Sequence, residues 1–312
     1  MHPFSFRCAL VAILTLVPPG FLPAQSSLPV AALNPAQPPP PPGIVFLHDV
    51  VIGKGGDRDL HAEIAFPKDA STPLAAVIYI HGGGWKGGDY RQTPILKIAQ
   101  AGYFAASIEY RLDNVAKWPA QIQDSKLGVR WLRANATQYH VDPNRIGAWG
   151  DSAGGHLVTC LGTMADVKEY EDDGGYPGVS SAVQAVVDFY GPTDFDTPGI
   201  YTPKAIQITE GLFGVPHDQN PALWKSGSPL YYVKAGDPPV LMVHGDADDL
   251  VPLAQSTALD AALAKAGVPH QLIVVKNAGH GFNHPPGTAI DPSGEEIFKA
   301  VFAFFDKYLK TP

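Results

Sequence analysis

Residues 146–154 read Ile-Gly-Ala-Trp-Gly-Asp-Ser-Ala-Gly, an apolar run that ends in a Gly-x-Ser-x-Gly motif. In this motif a strand turns sharply into a helix and pushes the serine into a strained, exposed position. The flanking glycines remove the side chains that would collide in so tight a turn. The apolar residues before Ser152 and the helix-compatible residues after it fit this setting, so Ser152 is the candidate nucleophile.

A second glycine-rich stretch, His81-Gly82-Gly83-Gly84-Trp85, directly follows an apolar run at residues 75–80. Three glycines in a row let the backbone approach a bound substrate and point its amides at it. Two such amides, with the amide of Ala153, would hold the oxyanion of a tetrahedral intermediate. The alternative is a flexible glycine turn. The position at the end of a strand, ahead of the serine motif, favours the oxyanion role.

Three aspartates compete for the acid of a catalytic triad. The strand predicted at residues 239–243 runs into Asp246, Asp248 and Asp249. We expect one of these carboxylates to accept the imidazole N–H of the base, and the other two to be solvated loop residues. The local sequence leaves the three nearly equal.

His280 is the candidate base. It follows the strand predicted at residues 271–275, and the glycines on both sides let its imidazole reach over the sheet edge. We expect its rivals to have other roles: His244 fixes a loop at a strand end, His270 lies at the opposite edge of the sheet, and His284 is an exposed loop residue. The chain order Ser, Asp, His is typical of one hydrolase fold and differs from the chymotrypsin and subtilisin orders.

Strand and helix patterns alternate along most of the chain. Strands are predicted at residues 44–52, 60–66, 75–80, 104–108, 145–149, 182–189, 239–243 and 271–275, and helices near 94–100, 119–134 and after 152, 253 and 291. This alternation predicts an α/β fold, with a mostly parallel central sheet and helices on both faces. Residues 191–234 break the rhythm, which is typical of a lid, a binding loop or a disordered segment.

The N-terminus has the pattern of a secretory signal. Arg7 precedes an apolar run at residues 8–17 that is too short to span a bilayer, and prolines then break it. We therefore predict a signal peptide at 1–25, a Pro-rich linker at 26–43 and a catalytic domain at 44–312. This organisation predicts a secreted or periplasmic protein with no membrane span in its mature form.

The amino-acid composition limits the classes of binding partner and cofactor that we expect. The chain has 312 residues, 45% hydrophobic and 17% charged, with a net charge of −8 and no basic cluster, so nucleic acid is not an expected partner. Signal removal would leave Cys160 as the sole cysteine, which excludes a zinc site built on several thiolates. His280 and His284 have the i, i+4 spacing of a metal-binding helix, but Gly281 and the prolines at 285–286 break it. We predict no metal and no cofactor.

Four motifs together resemble one family. The stretches HGGGW (81–85), GDSAGG (150–155), HGDADDLVP (244–252) and GHGF (279–282) are similar to those of the α/β-hydrolase esterases. The similarity is to the branch that contains the bacterial feruloyl esterases and the hormone-sensitive-lipase-like enzymes. It covers nearly all of the chain from Ile44 to Leu309.

The resemblance assigns roles by position. It implies that Ser152 is the nucleophile, that His280 is the base and that Asp248 is the triad acid in preference to its two neighbours. It also implies that the oxyanion donors are the amides of Gly83, Gly84 and Ala153. The resulting expectation is a serine carboxylesterase that works through an acyl-enzyme.

The expected substrate is a small-molecule or polysaccharide-linked ester, with a short or aromatic acyl group (acetyl or feruloyl) on a sugar. Trp85 and Phe282 are predicted to place aromatic surface at the acyl site, and Trp224 with the irregular segment at residues 191–234 is predicted to add an adjustable wall. The alternative is that Trp85 and Phe282 are core residues. Alternative functions are a serine peptidase or arylformamidase of the same fold, or a binding module without catalysis.

Overall fold

The structure, a computed structural model, describes residues 40–310 except residues 92, 172, 173 and 198. The predicted signal peptide (1–25) and residues 26–39 of the predicted linker lie outside the described residues, so both stay predictions. The first strand begins at Ile44. Across the described range, no helix combines the length and the apolar character needed to cross a membrane.

The described part of the chain contains one eight-stranded sheet. In chain order its strands are β1 (Ile44–Gly55), β2 (Arg58–Pro67), β3 (Leu74–Ile80), β4 (Phe104–Ile108), β5 (Val141–Asp151), β6 (Ala185–Phe189), β7 (Val240–Gly245) and β8 (His270–Val275). Across the sheet the order is β1-β2-β4-β3-β5-β6-β7-β8. β2 pairs antiparallel with both β1 and β4, and every other neighbouring pair is parallel. The mostly parallel sheet is therefore confirmed.

Helices cover both faces of this sheet. They are α1 (Ile95–Gln100), α2 (Ala120–Ala134), α3 (Ala153–Thr163), α4 (Pro203–Phe213), α5 (Pro221–Ser226), α6 (Ala254–Ala266) and α7 (Gly294–Phe305). One face packs against α1 and α7, where Ile98 and Phe305 join the core around Trp149. On the opposite face, Gly128 of α2 and Gly162 of α3 approach the side chains of β4 and β6. Because both faces are covered, every residue of β4, β6 and β7 is buried, as the continuous apolar runs predict.

Residues 191–234 contain two α-helices that the sequence analysis did not predict. This segment contains α4 and α5. Both helices begin with proline at the first position, where its missing N–H costs nothing, and the side chains of Thr202 and Asn220 cap them. Pro203 and Pro221, two of the prolines that break the predicted pattern in this segment, therefore mark the starts of helices. The segment is packed structure, not an irregular loop.

Candidate active site

Ser152 lies in a strained turn between β5 and α3. Its φ is 53° and its ψ is −116°, a conformation that L-residues rarely adopt, and its amide donates to the carbonyl of Phe189 at 2.8 Å. The flanking glycines are required by space. A Cβ on Gly150 would lie 2.4 Å from the carbonyl oxygen of Gly154, and a Cβ on Gly154 would lie 2.0 Å from that of Ile80. The turn therefore projects the serine hydroxyl from the carboxyl edge of the sheet.

The structure brings Ser152, His280 and Asp248 into one hydrogen-bonded chain. His280 Nε2 lies 2.9 Å from Ser152 Oγ, and His280 Nδ1 lies 2.8 Å from Asp248 Oδ2. Since a carboxylate only accepts, Nδ1 carries the proton and Nε2 is free to accept from the serine hydroxyl. The arrangement can therefore take a proton from the serine as the hydroxyl attacks an electrophile.

Asp248 is the aspartate that reaches the imidazole. Its Oδ1 accepts from the backbone amides of Leu250 at 2.9 Å and Val251 at 2.8 Å, which leaves Oδ2 for His280. Burial acts to raise the pKa of Asp248, but hydrogen bonds from His244 and His280 outweigh it and hold the pKa below its usual range. The neighbouring aspartates of the same loop are exposed.

His244 fixes the loop that carries Asp248. It is fully buried at the end of β7, where its Nε2 donates to the carbonyl of Val251 at 2.7 Å and its Nδ1 accepts from the hydroxyl of Ser256 at 2.7 Å. The other two histidines considered as the base, His270 and His284, lie elsewhere in the fold. His270 begins β8 at the amino end of the sheet, and His284 is an exposed loop residue.

Backbone amides converge beside the serine. Gly83 and Gly84 follow β3, and Ala153 is the first residue of α3, so its amide has no acceptor within the helix. All three residues line the same cavity as Ser152. Within the described part of the chain, the amides of Gly83 and Gly84 donate to no backbone carbonyl. These donors are therefore available to a negative oxygen that forms beside Ser152.

A cavity of about 480 Å³ opens above the three amides and the imidazole. Its far wall comes from α4, through Ala205, Ile208 and Thr209, and from the loop after Asp248. The position of α4 agrees with the prediction that residues 191–234 add a wall to the site, but the sequence did not show which residues face the cavity, since the apolar positions of α4 look like those of any amphipathic helix. Tyr190, which follows β6, was also missed, and its ring packs against that of His280 at 4.9 Å between centroids.

The predicted aromatic surface is only partly present in this cavity. Trp85 lines it, but the side chain is 3% exposed and its ring packs against His156 and Phe195. Phe282 does not line it, because its ring packs edge-on against that of Tyr190. Trp224, predicted as a further wall, is buried behind Phe213 and also lies away from the cavity. Phe282 and Trp224 are thus packing residues.

Among the described residues, no group of three or more His, Cys, Asp or Glu side chains is arranged to hold a metal ion. The histidine pair at 280 and 284 forms no helix, because Gly281 takes a left-handed φ of 71° between them. The chemistry available at the site is that of the serine, the imidazole, the carboxylate and the converging amides.

Comparison with known proteins gives one family and several relatives. The family model described as BD-FAE matches residues 62–263. Esterase LipC of Mycobacterium tuberculosis (strain ATCC 25618 / H37Rv) is 29% identical over 264 residues, which are 81% of this chain and 64% of that protein. The chain therefore spans a little less than two thirds of the length of this curated relative.

Two solved structures are similar over most of this chain. A truncated carbohydrate esterase from gut microbiota superposes with a TM-score of 0.74 at 30% identity, and covers 86% of this chain and 97% of its own. An acetyl ester-xyloside bifunctional hydrolase from Caldicellulosiruptor lactoaceticus superposes with a TM-score of 0.69 at 27% identity, and covers 81% of this chain and 89% of its own. Both share the α/β-hydrolase fold of this chain.

Proposed function

This chain belongs to the BD-FAE family of α/β-hydrolase esterases, and on that premise we propose that it is a serine carboxylesterase. The observation that carries the proposal is the hydrogen-bonded chain from Ser152 through His280 to Asp248, next to three converging amides. This set of groups has the donors and acceptors that acyl transfer requires.

The proposed reaction has two steps. Ser152 Oγ attacks the ester carbonyl while His280 Nε2 takes the hydroxyl proton, and the carbonyl oxygen becomes an oxyanion held by the amides of Gly83, Gly84 and Ala153. The C–O bond to the alcohol then breaks, and His280 returns the proton to the leaving alkoxide. Water attacks the acyl-enzyme in the same way and releases the acid and the free serine.

Asp248 acts on the reaction through His280. The carboxylate holds the imidazole with its Nδ1–H toward Oδ2 and stabilises the imidazolium that forms when the serine proton is taken. Because the hydrogen bonds from His244 and His280 outweigh the effect of burial and hold the pKa of Asp248 low, the carboxylate stays ionised while His280 gains and loses a proton. The proton therefore stays on the imidazole.

The proposed substrates are short or aromatic acyl esters of sugars, acetyl or feruloyl, outside the cytoplasm. The similarity to two solved structures, a carbohydrate esterase and an acetyl ester-xyloside bifunctional hydrolase, supports a sugar-linked ester as the substrate. The export pattern at residues 1–25 supports contact with extracellular polysaccharides. The packed wall of α4 supports a small acyl group over a long aliphatic chain.

The test compares purified wild type with Ser152→Ala on acetylated xylan, feruloylated arabinoxylan and simple esters of graded chain length. Ser152→Ala should fold normally and lose about three or more orders of magnitude in turnover. Ser71→Ala is the matched control, since Ser71 is exposed on the loop before β3 and outside the cavity. Retained activity in Ser152→Ala would refute the assignment of the nucleophile, and a clear preference for long acyl chains would refute the substrate class.

A burst of alcohol release on a chromogenic ester would identify the acyl-enzyme and separate catalysis from binding without turnover. Hydrolysis of peptides or aryl formamides in preference to esters would instead favour another activity of the same fold.

A further inference from the structure

Ile208 of α4 is in direct contact with the loop that supplies the oxyanion donors. Its Cγ2 lies 2.9 Å from the point where a Cβ on Gly84 would be placed, so the two residues touch only because Gly84 has no side chain. Ile208 is half-buried, and it lines the same cavity as Ser152. An apolar side chain therefore closes the cavity next to the position of the developing oxyanion.

The helix that carries Ile208 is anchored on both sides of it. At its start, Thr202 caps the helix and its hydroxyl donates to the carbonyl of Leu250 at 3.3 Å, on the loop of the triad acid. At its end, the carbonyl of Leu212 accepts from the amide of Trp118 at 3.0 Å. Because both ends are tied to the body of the domain, Ile208 is part of a packed wall with a fixed position.

Ile208 borders the acyl side of the reacting carbon. In the proposed reaction, His280 protonates the departing alcohol, so the alcohol lies on the side of the imidazole. The oxyanion points to the amides of Gly84 and its neighbours. Ile208 packs against Gly84 of the oxyanion loop, and on this contact we assign it to the acyl side of the reacting carbon.

We propose that Ile208 is a specificity-determining residue that limits the acyl group to short chains, from acetyl to about butyryl. The inference rests on the proposed esterase function and narrows the two proposed acyl classes to the short aliphatic one, acetyl, in preference to feruloyl. A hydrophobic wall of this kind gives a measurable but limited discrimination, since one methylene group that does not fit costs about 10- to 200-fold in specificity.

The test measures kcat/KM for p-nitrophenyl acetate, butyrate and octanoate. Ile208→Ala should raise the octanoate-to-acetate ratio by about tenfold or more, and Ile208→Val should raise it by less. Ile206→Ala is the matched control on the same helix, because Ile206 is 39% exposed and lies outside the cavity. Its ratio should equal that of wild type, and thermal unfolding should confirm that all variants are folded.

The inference is overturned if Ile208→Ala is folded and active on acetate but keeps the wild-type ratio, or if Ile206→Ala shifts the ratio equally. If Ile208→Ala does not fold, the ratio in Ile208→Val decides. Failure of the esterase proposal itself would give a different result from failure of the Ile208 inference. Wild type and Ser152→Ala would then hydrolyse all three esters equally slowly.

Discussion

Replacement of Asp248 by asparagine tests the electrostatic centre of the site. Oδ1 of Asp248 accepts from two backbone amides, so an asparagine would keep its carbonyl oxygen there and turn its NH₂ group toward His280. An amide donor facing Nδ1 requires that nitrogen to accept, which moves the imidazole proton to Nε2. Nε2 can then no longer accept the proton of Ser152, because it already carries one.

The size of the effect follows from this change of tautomer. Loss of a correctly protonated base costs about 10⁴-fold in turnover, or about 5 kcal/mol of transition-state stabilisation. The fold should survive, since the two backbone hydrogen bonds remain. The ionised hydrogen bond to His280 is lost, at about 1.5–3 kcal/mol, together with the longer contact from His244 Nε2 at 3.4 Å. The assay is kcat on p-nitrophenyl acetate, with urea unfolding as the measure of stability.

Asp246→Asn and Asp249→Asn are the matched controls, because both side chains are exposed on the same loop. Each should keep turnover within about twofold of wild type, as surface substitutions usually have small effects. A folded Asp248→Asn with a tenth or more of wild-type turnover would refute the reasoning. So would a larger loss in Asp246→Asn, which would move the acid to that residue.

Gly154→Ala should unfold the domain or abolish its activity, because the added Cβ would lie 2.0 Å from the carbonyl oxygen of Ile80. Gly294→Ala is the control, and it should be neutral or slightly stabilising because there is open space around Gly294. Thermal melts of the two variants check this, and equal melting temperatures would contradict it. Burial lowers the pKa of His156 from about 6.5 to about 4, so between these pH values the unfolded chain binds a proton that the folded protein does not. The free energy of unfolding is therefore highest above about pH 6.5, and it falls by about 3 kcal/mol as the pH drops toward 4. Urea unfolding at pH 7 and pH 4.5 should show a smaller loss of stability in His156→Gln than in wild type, and equal losses would show that His156 is not the titrating group.

The sequence alone determined the features whose physical cause is local. A strand buried on both faces needs a continuous apolar run, so the bounds of β3, β4 and β7 can be predicted from the sequence to within one or two residues. The turn at Ser152 needs glycine on each side for steric reasons, and that requirement is visible in five residues. Strands alternating with helices then predict the parallel sheet, whose carboxyl edge gathers the loops that carry the motifs.

Tertiary structure decided what depends on contacts between distant residues. Three aspartates share one loop, and the local sequence leaves them nearly equal; the family resemblance favours Asp248, and the position of His280, 32 residues away, shows that Asp248 is the one within 2.8 Å. Phe282 is only two residues after His280 in sequence, yet the left-handed φ of 59° at Phe282 belongs to a turn that packs its ring on Tyr190. The sequence also predicts a wall from residues 191–234, but not which residue forms it. An apolar helical residue has the same pattern whether it faces a core or a cavity, and only its packing on Gly84 places Ile208 of α4 at the site.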